Sequence, residues 1–253
     1  MAQEKGDISL ALYNYGSIEV RGWKGIWMQV NSQKGNATVI VHNEGIIKTG
    51  DDSLCIRVDS CGTNGTEKLY FRNSGTISTA RPLVLSANAP SRNKGFEFSV
   101  ENLGSGVIEN TSEEGVALSI RCNDLAKKPV GTFKITNAGT LRAPGPVLDI
   151  AVSTDNRAPV ALINTGVMES ANPNAPAITA TLTHNVPDTK KIMASKKFMG
   201  IAEAWIDQSG FYALPAGIKM HLQLRGYNWK NGDEVTVEEM TVESLGATET
   251  ITQ

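Results

Sequence analysis

KLYFRNSGTISTARPLVLSA, residues 68–87, holds two runs of alternating apolar and polar residues separated by a break. Leu69 and Phe71 alternate with polar neighbours, Asn73-Ser74-Gly75 interrupts, Ile77 stands alone, and Leu83, Leu85 and Ala87 alternate again. A period of two puts every second side chain on one face, so each run predicts a strand with one buried side. Asn and Gly tolerate positive φ, which would turn the corner without a long loop.

The same grammar recurs along the chain. Corners stand at Asn14-Tyr15-Gly16, Asn43-Glu44-Gly45, Asn73-Ser74-Gly75, Asn102-Leu103-Gly104-Ser105-Gly106, Asn137-Ala138-Gly139 and Asn164-Thr165-Gly166. Each is preceded by an apolar pair, from Leu10/Leu12 through Val39/Val41, Leu69/Phe71, Phe98/Val100 and Phe133/Ile135 to Val160/Leu162. Each is followed, two residues after its closing Gly, by Ile18, Ile47, Ile77, Ile108, Leu141 or Met168. A third segment alternates again, as in Ile26/Met28/Val30, Leu54/Ile56/Val58, Leu118/Ile120/Cys122 and Leu148/Ile150/Val152. A fixed period of this kind marks a repeat architecture whose units bury their apolar faces by stacking.

Three short strands per repeat, joined by polar corners, predict an all-β parallel β-helix of about six coils, each adding roughly 4.8 Å. The recurring V-x-N-x-G-x-I followed by an L-x-I strand resembles the right-handed β-helices of bacterial adhesins, polysaccharide lyases and bacteriophage tailspike or virion proteins, over residues 8–183. That resemblance implies the coil and leaves the activity open, because function on such scaffolds lies in what they carry. The division expected is a β-helix with an N-terminal cap over 1–184, a linker over 185–200 and a small β cap or assembly unit over 201–253.

The net charge of −2 and pI of about 6.0 offer no electrostatic case for nucleic acid or for an anionic membrane. MAQEKGDISLALY, at the N-terminus, has early acidic residues and no apolar h-region, and no stretch is apolar enough for a membrane helix. A virion location fits this, with the extracellular space or a cell surface as the alternative.

No catalytic set, metal site or cofactor is expected. The acids Asp51-Asp52, Glu113-Glu114 and Asp149 fall on different coils or in turns, whereas a glycoside hydrolase needs two carboxylates facing one groove. Arg57 and Arg121 occupy matching positions two coils apart with no acid in obvious reach of both. His42, His184 and His221 are isolated, without metal-ligand spacing. Three cysteines are too few for a disulfide framework. Cys122 reads as a small core residue, and Cys55 and Cys61 are candidates for a disulfide with each other or with another subunit, or two reduced thiols. The corner residues Asn14, Asn43, Asn73, Asn102, Asn137 and Asn164 read as a structural ladder, hydrogen-bonded along the stack.

Partner contacts are expected where aromatics point outward. Trp23 and Trp27 lie on the first coil, and Trp205, Phe211, Tyr212, Tyr227 and Trp229 crowd the C-terminal unit, where Asn231-Gly232-Asp233 supplies a hairpin turn. The long loops Asp59 to Glu67, Asn88 to Lys94 and Asn123 to Val130 would build one irregular face. The function expected is a non-enzymatic structural protein, a bacteriophage virion component such as a head-decoration, tail or fibre protein. It would bind identical subunits as a homotrimer and a larger particle. An adhesin or glycan-binding module is the alternative, and a polysaccharide lyase or hydrolase the second alternative.

Overall fold

The computed structural model describes residues 3–4, 6–21, 26–32, 35–50, 55–60, 65–89, 95–113, 115–124, 131–154, 160–186, 219–228 and 234–243. They form three parallel sheets stacked as a β-solenoid. Sheet I contains the strands that lead into each corner Asn: β2 (Ile8–Asn14), β5 (Ala37–Asn43), β8 (Thr66–Asn73), β11 (Gly95–Asn102), β14 (Gly131–Asn137) and β17 (Val160–Asn164). Sheet II contains the strands that leave the corner: β3 (Ser17–Val20), β6 (Ile46–Thr49), β9 (Thr76–Thr79), β12 (Val107–Asn110), β15 (Thr140–Ala143) and β18 (Val167–Ser170). Sheet III collects β1 (Gln3–Glu4), β4 (Trp27–Ser32), β7 (Cys55–Ser60), β10 (Leu83–Ala89), β13 (Leu118–Asp124), β16 (Leu148–Thr154) and β19 (Ile178–Val186). It continues through β20 (Lys219–Asn228) and β21 (Glu234–Glu243).

Alternation and register together make the core. Ile47, Ile77, Ile108 and Leu141 are cross-strand neighbours in sheet II and are all buried. Val41, Phe71, Val100, Ile135 and Leu162 do the same in sheet I and share one core cluster with Leu85, Ile120 and Ile150 of sheet III. Each such side chain, shielded by the coils above and below, is worth roughly 1.5–3 kcal/mol of transfer free energy.

About four turns are fully stacked, those opened by β5, β8, β11 and β14, which have neighbours on both sides. The turns at the ends are only partly closed, with Leu10 exposed and Ile18 and Met168 half-buried. An expectation of about six coils thus counts the repeats correctly but overstates the sealed length.

Glycine at the corners answers to space and not to φ, which corrects the torsional reading of the sequence. None of the corner glycines Gly45, Gly75, Gly139 and Gly166 has φ in the left-handed region. A Cβ on Gly45 would overlap the carbonyl oxygen of Gly16, one on Gly75 that of Gly45, and one on Gly166 that of Gly139. Each of these four corners therefore needs a bare α-carbon because the preceding corner's carbonyl lies directly against it.

Inside the corners the asparagines form a continuous chain of carboxamides. Nδ2 of Asn14 donates to Oδ1 of Asn43 at 2.7 Å, Asn43 to Asn73 at 2.8 Å, Asn73 to Asn102 at 2.8 Å, Asn102 to Asn137 at 2.7 Å and Asn137 to Asn164 at 2.6 Å. All six are buried. The second amide hydrogen holds the corner itself, as in Asn43 Nδ2 to the Gly45 carbonyl at 3.2 Å and Asn73 Nδ2 to that of Gly75 at 3.2 Å. A buried amide has two donors to satisfy, and this geometry satisfies one along the stack and one across the turn.

Glu67 departs from the loop assignment. Thr66 already begins β8, and Glu67 points inward, fully buried beside the small Ala37 of the preceding strand. At the far end β19 runs to Val186, two residues past the point where the repeat grammar ends. Then β20 pairs parallel to β19, and β21 returns antiparallel with a register shift at Leu224/Arg225. Sheet III is thereby longer than its two companions. Residues 201–218 of the expected C-terminal unit, the 187–200 part of the linker and the Asn231-Gly232-Asp233 turn lie outside the described residues.

Candidate functional site

With the core filled, the surfaces able to recognise anything are the outer faces and the ends. On the outer face of sheet I the residue before each corner Asn forms a column in which Tyr13, His42, Arg72 and Glu101 are successive neighbours. Beside it run Ile40, Tyr70 and Ser99. Small Ser99 next to Tyr70 leaves an open depression of about 200 Å³, bordered by Tyr13, His42, Tyr70, Arg72 and Glu101.

Aromatic and ionic groups interleave there. The His42 ring meets Tyr13 and Tyr15 edge-on, both with centroids 6.2 Å away, and its Nε2 lies 3.1 Å from Glu44 Oε1. Arg72 lies 3.9 Å from Glu101, and Lys68 lies 3.5 Å from Glu97. Burial of the Tyr70 phenol, its hydrogen bond to Glu97 and that carboxylate's charge push its ionisation up to about 12. The surface thus offers ring faces, charges and a phenol that stays protonated, a set suited to noncovalent recognition.

Sheets II and III carry polar ladders. On sheet III, Asp149 accepts hydrogen bonds from Thr179 Oγ1 at 2.7 Å and from Ser119 Oγ at 3.5 Å, and pairs with the Arg121 guanidinium. The sequence reading did not pair Arg121 with Asp149; neighbouring strands in register bring the two within reach. On sheet II, Arg142 bridges Glu109 at 3.6 Å and Glu169 at 3.0 Å. Between β20 and β21, His221 pairs with Glu239 at 2.8 Å and contacts Thr241 Oγ1 at 3.2 Å. Among the described residues no group of three or more His, Cys, Asp and Glu side chains could hold a metal ion, and no helix is long and apolar enough to cross a membrane.

Of the aromatic residues singled out in the sequence, Trp27 stands on the outer face of β4, 61% exposed, with Nε1 donating to Gln29 Oε1 at 3.4 Å. Tyr227 belongs to β20, where its backbone is opposite Asn185 and Glu234. Trp23, Trp205, Phe211, Tyr212, Trp229 and Cys61 lie outside the described residues; Cys55 lies in β7, paired with Trp27 and Val84. The sequence reading passed over Tyr13, Tyr15 and Tyr70. Aligning the repeats on the corner Asn would have brought Tyr13, His42 and Arg72 into one column. Four of the six large hydrophobic residues exposed among the described residues, Leu10, Tyr13, Tyr15 and Trp27, belong to the first coil.

In comparisons with known proteins, the chain matches no protein-family model, no curated protein and no solved structure.

Proposed function

We propose that the chain is a non-enzymatic structural protein, a stiff scaffold that binds neighbouring subunits in a particle, with a bacteriophage virion as the setting the repeat grammar suggests. The observation that carries this reading is the unbroken carboxamide ladder. Five side-chain hydrogen bonds link six corners along the axis, a device that resists bending and unstacking and has no chemical use. The parallel registers of the stacked coils in all three sheets act in the same direction. In this reading Trp205, Phe211, Tyr212, Tyr227 and Trp229 serve attachment or homotrimer formation, and Trp27 a lateral contact.

The test combines solution mass by light scattering, with and without reductant, and a screen against bacterial surface polysaccharides for released oligosaccharide. Assembly into a defined oligomer without release supports the scaffold, and a mass that falls on reduction places Cys55 or Cys61 in a subunit contact. Release of oligosaccharide that disappears in Asp149→Asn would overturn it.

A second reading, a glycan-binding module, is favoured by one feature. Tyr13 is 54% and Tyr15 67% exposed beside a depression that also presents His42, Arg72 and Glu101. Sugar faces stack on such rings while polar groups fix their hydroxyls. Saturable glycan binding lost in Tyr13→Ala would favour it, and unchanged amide signals across a glycan panel would remove it.

A further inference from the structure

The corner glycines form two series, and each series has one member whose identity no described residue explains. At the Asn corners, a Cβ on Gly45 or Gly75 would collide with the carbonyl of the preceding corner glycine, whereas a Cβ on Gly16 would meet nothing within 4 Å. At the corner entering sheet I, a Cβ on Gly65 would collide with Gly35 and one on Gly35 with Gly6, whereas one on Gly6 would again meet nothing within 4 Å. Neither Gly6 nor Gly16 has φ in the left-handed region. Both residues have the form that receives another coil, at the end where no described strand of sheet I or II lies beyond β2 and β3.

Three further observations point to the same end. β2 and β3 are the outermost strands of sheets I and II there, while sheet III already carries one more strand, β1, on β4. The gap is therefore one strand of sheet I joined by a corner to one strand of sheet II. Leu10 is 38% exposed, although its successors Val39, Leu69 and Phe98 in the same column are buried. Among the described residues Asn14 Oδ1 accepts only a 3.3 Å bond from Gly16 N, where every later corner Asn accepts from the preceding carboxamide at 2.6–2.8 Å.

We propose that this end of the solenoid is a docking face for a strand–corner–strand segment of another polypeptide, of the pattern apolar-x-apolar-x-Asn-x-Gly-x-apolar, which adds the next strand to sheets I and II. The ladder fixes the direction of the incoming segment: it must donate a carboxamide Nδ2 to Asn14 Oδ1, so its strands run parallel to β2 and β3. Its corner carbonyls accept from Tyr15 and Ser17, as those of Asn14 and Gly16 accept from Glu44 and Ile46, and one rests against the bare α-carbon of Gly16. Its apolar residues cover Leu10 and Ile18. This is strand addition to open sheet edges, with backbone bonds giving affinity and the inward side chains giving selectivity. A second copy stacked head to tail fits less well, because its far end carries β20 and β21 on sheet III, where they would meet β1. The inference concerns a different surface from the C-terminal aromatics and stands whether or not the chain is part of a virion.

The probe is a labelled synthetic peptide with the sequence of residues 37–49, ATVIVHNEGIIKT, which has the required pattern. Fluorescence anisotropy should show saturable binding to the full chain, at least about tenfold weaker to Gly16→Val and likewise for a peptide whose Asn is replaced by Ala. Gly16→Val should melt at the temperature of the parent, because no described residue occupies that space, while Gly45→Val should melt well below it. No saturable binding, equal binding to Gly16→Val, or a lowered melting temperature for Gly16→Val would each overturn the proposal. An oligomer of the chain alone that Gly16→Val dissolves would identify a second copy as the occupant and overturn the partner proposed.

Discussion

Replacing Asn73 with Ala removes the middle of the carboxamide ladder. Asn73 is fully buried; its Oδ1 accepts from Asn43 at 2.8 Å, and its Nδ2 donates to Asn102 Oδ1 at 2.8 Å, to the Gly75 carbonyl at 3.2 Å and to the Val107 carbonyl at 3.3 Å. The two short bonds contribute about 1 kcal/mol each, and stranding the buried Asn102 Oδ1 adds roughly 1–3 kcal/mol, so the expected loss is about 3–5 kcal/mol. Asn14→Ala breaks one ladder bond instead of two, to Asn43, together with a 3.2 Å bond to the Ile46 carbonyl, and should cost about 1 kcal/mol less than Asn73→Ala. Asn73→Asp keeps the shape but faces a carboxylate against the Asn102 oxygen. Burial raises that new carboxyl's pKa, so the variant is least impaired at low pH and loses stability as pH rises through the folded-state value. Urea unfolding, read as midpoint and slope for the three variants, measures this, with the slope checked for loss of cooperativity along the stack. Equal losses below about 1 kcal/mol at positions 73 and 14 would refute the view that the ladder holds the corners together.

Other consequences follow from the same geometry. Phe71 is a large, fully buried side chain of sheet I, and Phe71→Ala should cost about 3–5 kcal/mol in urea unfolding. Tyr70 should be the late-titrating tyrosine in an ultraviolet titration: its folded-state value of about 12 lies above the ordinary phenol value, so its contribution to stability is present below the unfolded value and is lost as pH rises toward 12. Glu97→Gln should bring that titration down, and Tyr70→Phe should remove it. Arg142→Ala breaks two exposed ion pairs, with Glu109 and Glu169, and should change stability by less than about 1 kcal/mol, an effect that shrinks further in high salt.

The corner grammar made the stacking readable because one residue type, Asn, must recur wherever a buried carboxamide links to the next, and one spacing, two residues, separates each strand's inward positions. The reason for glycine was not readable from a single repeat. It emerges only when Gly45 is seen against the Gly16 carbonyl, a contact 29 residues away in sequence. The same distance hid the Tyr13, Tyr15 and His42 cluster, whose members look like ordinary outward positions until the register sets them side by side. Glu67 was misplaced because a charged residue beside a loop reads as solvated, while the structure turns it inward against Ala37. So short a C-terminal β unit can hardly carry its own core and has to pack on the last coil or on identical subunits, but an alternating strand does not say which sheet edge it will join.

The most direct test of the stacked solenoid is a nuclear Overhauser spectrum of the asparagine side-chain amides in isotope-labelled protein. A single connected path from Asn14 through Asn43, Asn73, Asn102 and Asn137 to Asn164 is expected, with corner amides of neighbouring coils in parallel register. Carboxamides that see only water and their own turns, or cross-peaks showing antiparallel neighbours among these strands, would contradict it.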